Sequence, residues 1–289
     1  MDIINKLKNL FKKTIIYFFN RLGYHIQRNS SHNIPYLRTQ SPSALNYIDS
    51  KFILLDIDVD LVREQHLAVG VKYDPLIKAV SKCIDNNYLE KSLKESLNAY
   101  YEIYKPETAL DLFDLDKVDA PSLTNFRPWE VPYPWVDSSI DEWSKILQEG
   151  TKKENYRTGK KLTIVDGVHM WGPVSEDKLE VEVQRFHQLL LDIKNNGYKR
   201  NNKPDGDIVL DALSDENGNW RYINRGGTHR FSVLAALGTK KIKARIQSLI
   251  YRNDVEIWPN VISKMYTKEG ALKLFDRFHN GYNANFINI

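Results

Sequence analysis

The amino-acid sequence predicts an α+β protein with a mixed sheet in its C-terminal half. Two runs, 207–213 and 220–224, read as the strands of one hairpin because Asn-Gly stands in the short segment between them. The apolar run 231–237 follows and ends at a glycine, a pattern typical of a helix and its C-cap. Residues 241–246 then alternate apolar and basic side chains, which is the period of a strand.

The region before residue 150 is predicted to be mainly helical. It contains one strand, 52–60, followed by apolar residues at helical spacing over 73–104. Four aromatic residues and three prolines crowd 126–135, which therefore cannot form a regular helix or a central strand. We interpret this segment as a rigid loop packed on the core, or alternatively as the wall of a sugar or base pocket. A short helix is expected to finish at residue 150, before a polar, basic connector over 151–161.

These patterns divide the chain into four segments. Residues 1–28 are predicted to form an amphipathic helix, and residues 29–150 form the mixed, mainly helical region. The predicted mixed-sheet domain occupies 151–260. Residues 261–289 provide a C-terminal helix, expected over 261–277, and an Asn-rich tail.

The body of the protein is expected to be nearly neutral. The 289 residues carry a net charge of +4, but six basic residues against Asp2 alone give residues 1–28 a net charge of +5. The rest of the chain carries −1, so its bulk charge does not favour nucleic acid as a partner. A hydrophobic content of 42% indicates a globular chain, and the single cysteine, Cys83, excludes an internal disulfide and fits a reducing compartment.

Residues 1–28 are predicted to lie on a membrane surface. Apolar residues such as Leu7, Phe11 and Phe18 recur at helical spacing, and lysines flank this stripe. The longest uncharged run, 14–20, is too short to span a bilayer, and no cleavage site of a signal peptide follows it. We expect a cytoplasmic protein held peripherally on the inner, anionic face of the membrane; a helix docked on the protein's own core is the alternative.

The segment between the second hairpin strand and the next helix is the predicted ligand site. Two glycines allow a sharp turn and let a ligand approach the main chain. The helix that follows presents free N–H groups and a positive dipole end, and the flanking side chains add hydroxyl, imidazole and guanidinium donors, which together suit a phosphate. The alternative is a Gly-Gly turn whose basic residues merely face solvent. This site, called the elbow below, consists of Arg225, Gly226, Gly227, Thr228, His229 and Arg230.

Three acidic residues alternate along the early strand. Asp56, Asp58 and Asp60 could share one face and bind a divalent cation. They lack the glycine and the helical context of a calcium loop, so we expect a solvated strand edge there and assign no metal-ligating residues.

The segment YINRGGTHRFSVLAALGTKKIKARI resembles the ParB/sulfiredoxin superfamily, in which a Gly-Gly-x-His-Arg-type element starts a helix and binds nucleotide phosphates. The resemblance extends back to Glu180, covers about a quarter of the chain, and implies a ParB/sulfiredoxin-like mixed sheet. Sulfiredoxins carry a nucleophilic cysteine where this chain has Thr228, and a hydroxyl cannot take over thiolate redox chemistry, so sulfinic acid reduction is not expected. The Gly-Glu-Arg-Arg form of the chromosome-partition ParB proteins is also missing, which argues against a CTP-driven DNA clamp.

The resemblance and the elbow together imply a kinase-like phosphotransferase that uses ATP or another nucleotide with Mg²⁺. Superfamily members with kinase activity place an acidic residue near the nucleotide, and Glu180 and Glu182 are the candidates by position. The N-terminal pattern Lys-Asn-Leu-x-Lys-Lys … Leu-Gly-Tyr-x-Ile-x-Arg is similar to the starts of bacterial surface-glycan biosynthesis proteins, which suggests a glycan intermediate as substrate. Two alternatives stay open: a non-catalytic scaffold that holds a nucleotide or a phosphosugar, and a ParB-like nucleic-acid-binding protein or nuclease.

Overall fold

The computed structural model describes residues 40–200 and 206–281, which form a five-stranded mixed sheet with several helices. The strand order is β1-β5-β3-β4-β2. Strands β3 and β4 form the antiparallel hairpin, β5 runs parallel to β3 and antiparallel to β1, and β2 lies parallel to β4. The predicted α+β class with a mixed sheet is therefore confirmed. The strands are β1 (Ile53–Asp58), β2 (Val62–Arg63), β3 (Ile208–Ser214), β4 (Trp220–Gly226) and β5 (Lys241–Tyr251).

Burial explains the alternation along β5. In its first six residues the apolar side chains are buried, whereas Lys241 and Lys243 reach the neighbouring strand β1. They pair there with Asp58 and Asp56, at 3.5 and 3.7 Å between nitrogen and oxygen. The acidic residues of β1 thus balance lysines of the adjacent strand. The buried residues of β5 on the apolar face are Ile242, Ala244 and Ile246, each at most 3% exposed.

Helices from both halves of the chain pack together. Helix α1 packs on α2 and α6, and α5 packs on α2 and α6. The predicted helical stretch 73–104 is two helices, separated where Asn87 and Tyr88 adopt positive φ. The α-helices of the described residues are α1 (Pro75–Asp85), α2 (Glu90–Ile103), α3 (Ala109–Phe113), α4 (Ile140–Tyr156), α5 (Glu176–Asn196), α6 (Thr228–Ala236), α7 (Pro259–Ile262) and α8 (Lys268–Asn280).

Helix α4 is longer than the sequence pattern indicates. It begins at a capping box formed by Ser139 and Glu142, and it continues through Gly150 to Tyr156. The prediction of a connector was therefore wrong for its first six residues: Lys152 and Lys153 face solvent from a helix, while Asn155 is buried. Strands β1 and β2 precede residue 150 and still share one sheet with β3, β4 and β5.

The predicted C-terminal helix over 261–277 is divided into two. Helix α7 ends at Ile262, and Lys264 then adopts a left-handed backbone with φ of +61°. Thr267 starts α8 by accepting a hydrogen bond from the N–H of Gly270. The apolar periodicity continues across this break, which is why the pattern alone reads as one helix.

The aromatic segment 126–135 contributes to the core, as the first of its two interpretations predicts. Tyr133 is 1% exposed, and its ring stacks on that of Trp135 with 5.5 Å between centroids. Its hydroxyl donates to the main-chain oxygen of Gln65 at 2.6 Å. Phe278 of α8 lies edge-on against Tyr133 at 5.8 Å, so this segment ties the C-terminal helix to the rest of the core.

The membrane predictions concern a segment that the structure does not cover. Within 40–200 and 206–281, no helix has the length and apolar character needed to cross a membrane. The predicted amphipathic helix, 1–28, and the tail beyond residue 281 lie outside the described residues. The membrane-surface assignment therefore stays a prediction.

Candidate functional site

The elbow joins β4 directly to helix α6. Gly227 occupies the N-cap position of α6 with φ of +75°, in the left-handed region that favours glycine. A Cβ atom there would lie 3.0 Å from the carbonyl oxygen of Asp207 and 3.2 Å from the Cα of Ile208. Both the backbone angle and the close main-chain atoms therefore favour glycine. Because this residue has no side chain to cap the helix, the first N–H groups of α6 remain available to an anion.

The elbow lines a cavity of about 630 Å³. Other parts of the lining come from α4, from α5 and from the loop at His169 and Met170. Five basic residues line the cavity against two acidic ones, Glu154 and Asp207, and this excess of positive charge suits an anionic ligand. The basic residues are Lys153, Arg157, Arg185, Arg225 and Arg230.

All six residues of the predicted elbow line this one cavity. The side chains of Thr228 and Arg230 make no hydrogen bond or ion pair with another residue in the described parts of the chain. Arg225 is held more firmly, because its Nε lies 3.3 Å from Oδ2 of Asp211 and its guanidinium lies over the rings of Tyr133 and Trp143. The structure thus brings together two donor side chains that make no hydrogen bond or ion pair in the described parts of the chain, Thr228 and Arg230, and one arginine, Arg225, that its neighbours hold in place.

A buried ionic network joins α5 to the elbow. Glu182 is fully buried, and its Oε2 lies 2.6 Å from Nε2 of His229. Its Oε1 accepts hydrogen bonds from Nζ of Lys178 at 2.7 Å and from Nη1 of Arg185 at 2.8 Å. Arg185 also donates to Oε1 of Glu154 at 2.8 Å. The network therefore fixes the imidazole of His229 relative to both α4 and α5.

The charges of this network follow from burial and from its ion pairs. Burial by itself would raise the pKa of Glu182, but His229, Lys178 and Arg185 bring it well below its ordinary value. Glu182 is therefore ionised at neutral pH. Burial is also the main reason that the pKa of His169 falls to about 4, with His229 lowering it further and Glu154 opposing the change. His169 is therefore neutral at pH 7.

Of the two acidic candidates, the structure brings Glu182 to the elbow and leaves Glu180 apart. Glu180 pairs with Lys94 of α2 at 3.2 Å and does not line the cavity. The two residues are two positions apart on a helix, so their side chains leave it in different directions. Glu182 itself has no exposed surface and acts on the cavity through His229 and Arg185, as a positioning residue.

Sequence reasoning missed the residues that come from α4 and from the loop before α5. The ring of His169 lies 4.9 Å from that of His229, and its Nδ1 lies 3.7 Å from Oε2 of Glu154. A pattern on α5 could have indicated the cavity: Lys178, Glu182 and Arg185 recur there at helical spacing on the buried side. Charges placed on a core-facing stripe indicate a polar site within the fold.

The cavity does not offer carboxylates that fit Mg²⁺. Glu154 is paired with Arg185, and Asp207 accepts hydrogen bonds from Arg200 at 3.0 Å through both oxygens and is also paired with Arg245. Across residues 40–200 and 206–281, no group of three or more His, Cys, Asp or Glu side chains could hold a metal ion. An ion at this site would therefore depend on ligands from a bound phosphate.

Comparisons of the chain with known protein families, with curated proteins and with solved structures found no match.

Proposed function

We propose that the protein binds a phosphate-bearing ligand at the elbow, with a nucleotide as the first candidate, and that the site serves phosphoryl transfer. The observation that carries this proposal is the position of the glycine-built start of α6 in a cavity with five basic residues. Backbone N–H groups and cationic side chains are the groups that bind phosphate oxygens in proteins.

The side chains divide into two roles. Thr228 and Arg230, which make no hydrogen bond or ion pair within the described parts of the chain, would donate to phosphate oxygens. Arg225 and His229, which are held by Asp211 and Glu182, would contact the ligand with little loss of side-chain freedom. Such fixed donors stabilise negative charge as it moves during transfer, which is the main requirement of this chemistry.

The remaining parts of the proposal rest on sequence resemblance. We propose membership of the ParB/sulfiredoxin superfamily from the order of hairpin, elbow, helix and strand. We also propose that residues 1–28 hold the protein on the inner face of an anionic membrane, where a surface-glycan intermediate would accept the phosphoryl group. Nucleic acid remains a less favoured ligand, because the chain beyond residue 28 carries a net charge of −1.

A non-catalytic scaffold is the second candidate. Both carboxylates that line the cavity are ion-paired with arginines, and Glu182 is buried, so a carboxylate base ready to activate an acceptor hydroxyl is missing from the described residues. This observation favours a module that holds a nucleotide or phosphosugar without turning it over.

Calorimetric titration of the variant Arg230→Ala tests the proposed site. We expect the mutant to bind ATP at least tenfold more weakly than the wild type without loss of fold, because one charged hydrogen-bond donor is removed. Arg127→Ala is the matched control: it removes the same charge from a residue outside this cavity. Equal affinity of Arg230→Ala and wild type would refute the phosphate site, and release of ADP by the wild type would separate the transferase from the scaffold.

A further inference from the structure

Two buried polar atoms of the cavity lining have no hydrogen-bond partner in the described parts of the chain. They are Nη1 of Arg225 and Nε2 of His169. Buried polar atoms are nearly always paired, because leaving one unpaired costs about 1–3 kcal/mol. Two such atoms in the lining of one cavity indicate that a ligand supplies their partners.

Both atoms belong to the same end of the cavity. The ring of His66 links the two residues, because its Nε2 lies 2.8 Å from Sδ of Met170, the neighbour of His169 along the chain. On its other side, Nδ1 of His66 lies 3.1 Å from the hydroxyl of Tyr133. Arg225 in turn lies over the Tyr133 ring, at 5.1 Å from its centroid. We call this region, defined by Arg225 and His169, the inner end of the cavity.

The two atoms require complementary partners. Nη1 of Arg225 can only donate a hydrogen bond. The imidazole of His169 is neutral at pH 7, since burial lowers its pKa to about 4. The carboxylate of Glu154, 3.7 Å from Nδ1, favours the proton on that nitrogen, which leaves Nε2 as an acceptor. The inner end thus presents one fixed donor and one acceptor.

A second phosphate group does not match this pair, because a fully ionised phosphate has no proton to donate to Nε2. A hydroxyl group does match it, since a hydroxyl both accepts and donates hydrogen bonds. Sugars and other polyols present several hydroxyls close together, and a sugar attached to a phosphate would extend from the elbow into the same cavity.

We propose that the inner end of the cavity binds hydroxyl groups of a sugar or polyol that carries the phosphate held at the elbow, with Arg225 donating to them and His169 accepting from them. This inference rests on the proposed function, because it takes the phosphate position from the elbow. It narrows the ligand class to phosphorylated sugars and polyols, which include ribonucleotides.

Calorimetric titration of the full-length protein with a set of phosphate esters tests the inference. The probes are methyl phosphate, which has no hydroxyl beyond the phosphate, and glycerol 3-phosphate, ribose 5-phosphate, glucose 1-phosphate and glucose 6-phosphate. We expect at least one of the four polyol phosphates to bind tenfold or more tightly than methyl phosphate, because a site with unpaired buried partners discriminates strongly against a ligand that lacks the hydroxyl. In His169→Phe, which keeps a ring but removes both nitrogens, this advantage should fall at least tenfold while the affinity for methyl phosphate stays unchanged.

Arg225→Met is the second variant. It removes the cationic partner of Asp211 and could therefore unfold the protein. In that case the double variant Asp211→Asn/Arg225→Met replaces it, because it removes the unpaired carboxylate as well. Because Arg225 also belongs to the elbow, either variant should weaken methyl phosphate, but it should weaken the tightest polyol phosphate at least tenfold more. Arg230→Ala should weaken every probe alike.

The outcomes separate this inference from the function on which it rests. Equal affinity of the wild type for methyl phosphate and all four polyol phosphates would overturn the inference and leave the phosphate site standing. An advantage that survives both His169→Phe and the Arg225 variants would also overturn it. Failure of every probe to bind would overturn the inference, and it would refute the phosphate site itself if ATP also fails to bind.

Discussion

Replacing Glu182 by glutamine should destabilise the fold, because the change leaves a buried ammonium group without a counter-charge. The side chains of Glu182 and Lys178 are both 0% exposed. Nζ of Lys178 donates to Oε1 of Glu182 at 2.7 Å and to Oδ1 of Asn155 at 2.8 Å. In the variant both of these acceptors are neutral amides, while the lysine stays buried.

The size of the effect follows from the cost of an uncompensated buried charge. Removing one partner of a buried ion pair costs about 3–5 kcal/mol. Two unit charges 2.7 Å apart attract each other by about 6 kcal/mol at an effective dielectric constant of 20, which is the same order. Arg185 keeps Glu154 as its partner at 2.8 Å and adds little to the loss. We therefore expect Glu182→Gln to lower the free energy of unfolding by about 3–5 kcal/mol.

Urea unfolding at pH 7, followed by tryptophan fluorescence, measures this change. A double-mutant cycle with Lys178→Met provides the control, since removing both buried charges leaves no unpaired one. The loss in the double variant should be smaller than the sum of the two single losses by about 2 kcal/mol or more. A loss below about 1 kcal/mol in Glu182→Gln, or additive losses in the cycle, would refute this account of the network.

Three further predictions concern other parts of the chain. Gly227→Ala should lower the free energy of unfolding by more than Gly238→Ala does. Both glycines have φ near +80°, but only Gly227 has main-chain atoms within 3.4 Å of an added Cβ. Equal losses of about 1 kcal/mol in urea unfolding would contradict this close approach. Burial, with Asp74 nearby, raises the pKa of Glu64 to about 8, so the folded protein keeps a proton that the unfolded chain releases above pH 4.5 and stability falls as the pH rises between these values. Between pH 4.5 and 8 this loss of unfolding free energy amounts to about 4 kcal/mol, and Glu64→Gln should abolish it. If the urea midpoints of the variant and the wild type change with pH in the same way, the prediction is wrong. Deleting residues 1–28 should release the protein from anionic liposomes, and unchanged co-sedimentation would sink the membrane-surface prediction.

Local patterns predicted the part of the fold that contains the elbow. The β3–β4 hairpin, α6 and β5 follow one another along the chain, so their turn residues and periodicities lie within one stretch of sequence. The pairing of β1 with β5 joins residues nearly two hundred positions apart, and no local signal specifies it. The same is true of β2, whose two residues lie parallel to β4.

Apart from Glu182, which the family resemblance suggested by position, the candidate site was predictable only where its residues are consecutive. The elbow occupies six neighbouring positions, so its glycines and hydrogen-bond donors can be identified from the sequence alone. His169 and Glu154 reach the cavity through tertiary packing, from a loop and from a helix that the sequence pattern cut short. The burial of Glu182 was also hidden, because a glutamate on a charged helix reads as a surface residue until the partner Lys178 is known to be buried with it.

Calorimetric titration of the full-length protein with ATP, ADP and CTP, each in the presence of Mg²⁺, tests most directly whether the elbow binds a nucleotide. We expect micromolar binding of at least one of them. His229→Ala should abolish this binding, because the imidazole of His229, 2.6 Å from Glu182, lies at the start of α6. Absence of binding for all three nucleotides and for the phosphate esters would contradict this expectation, and would mean that the elbow serves the fold alone.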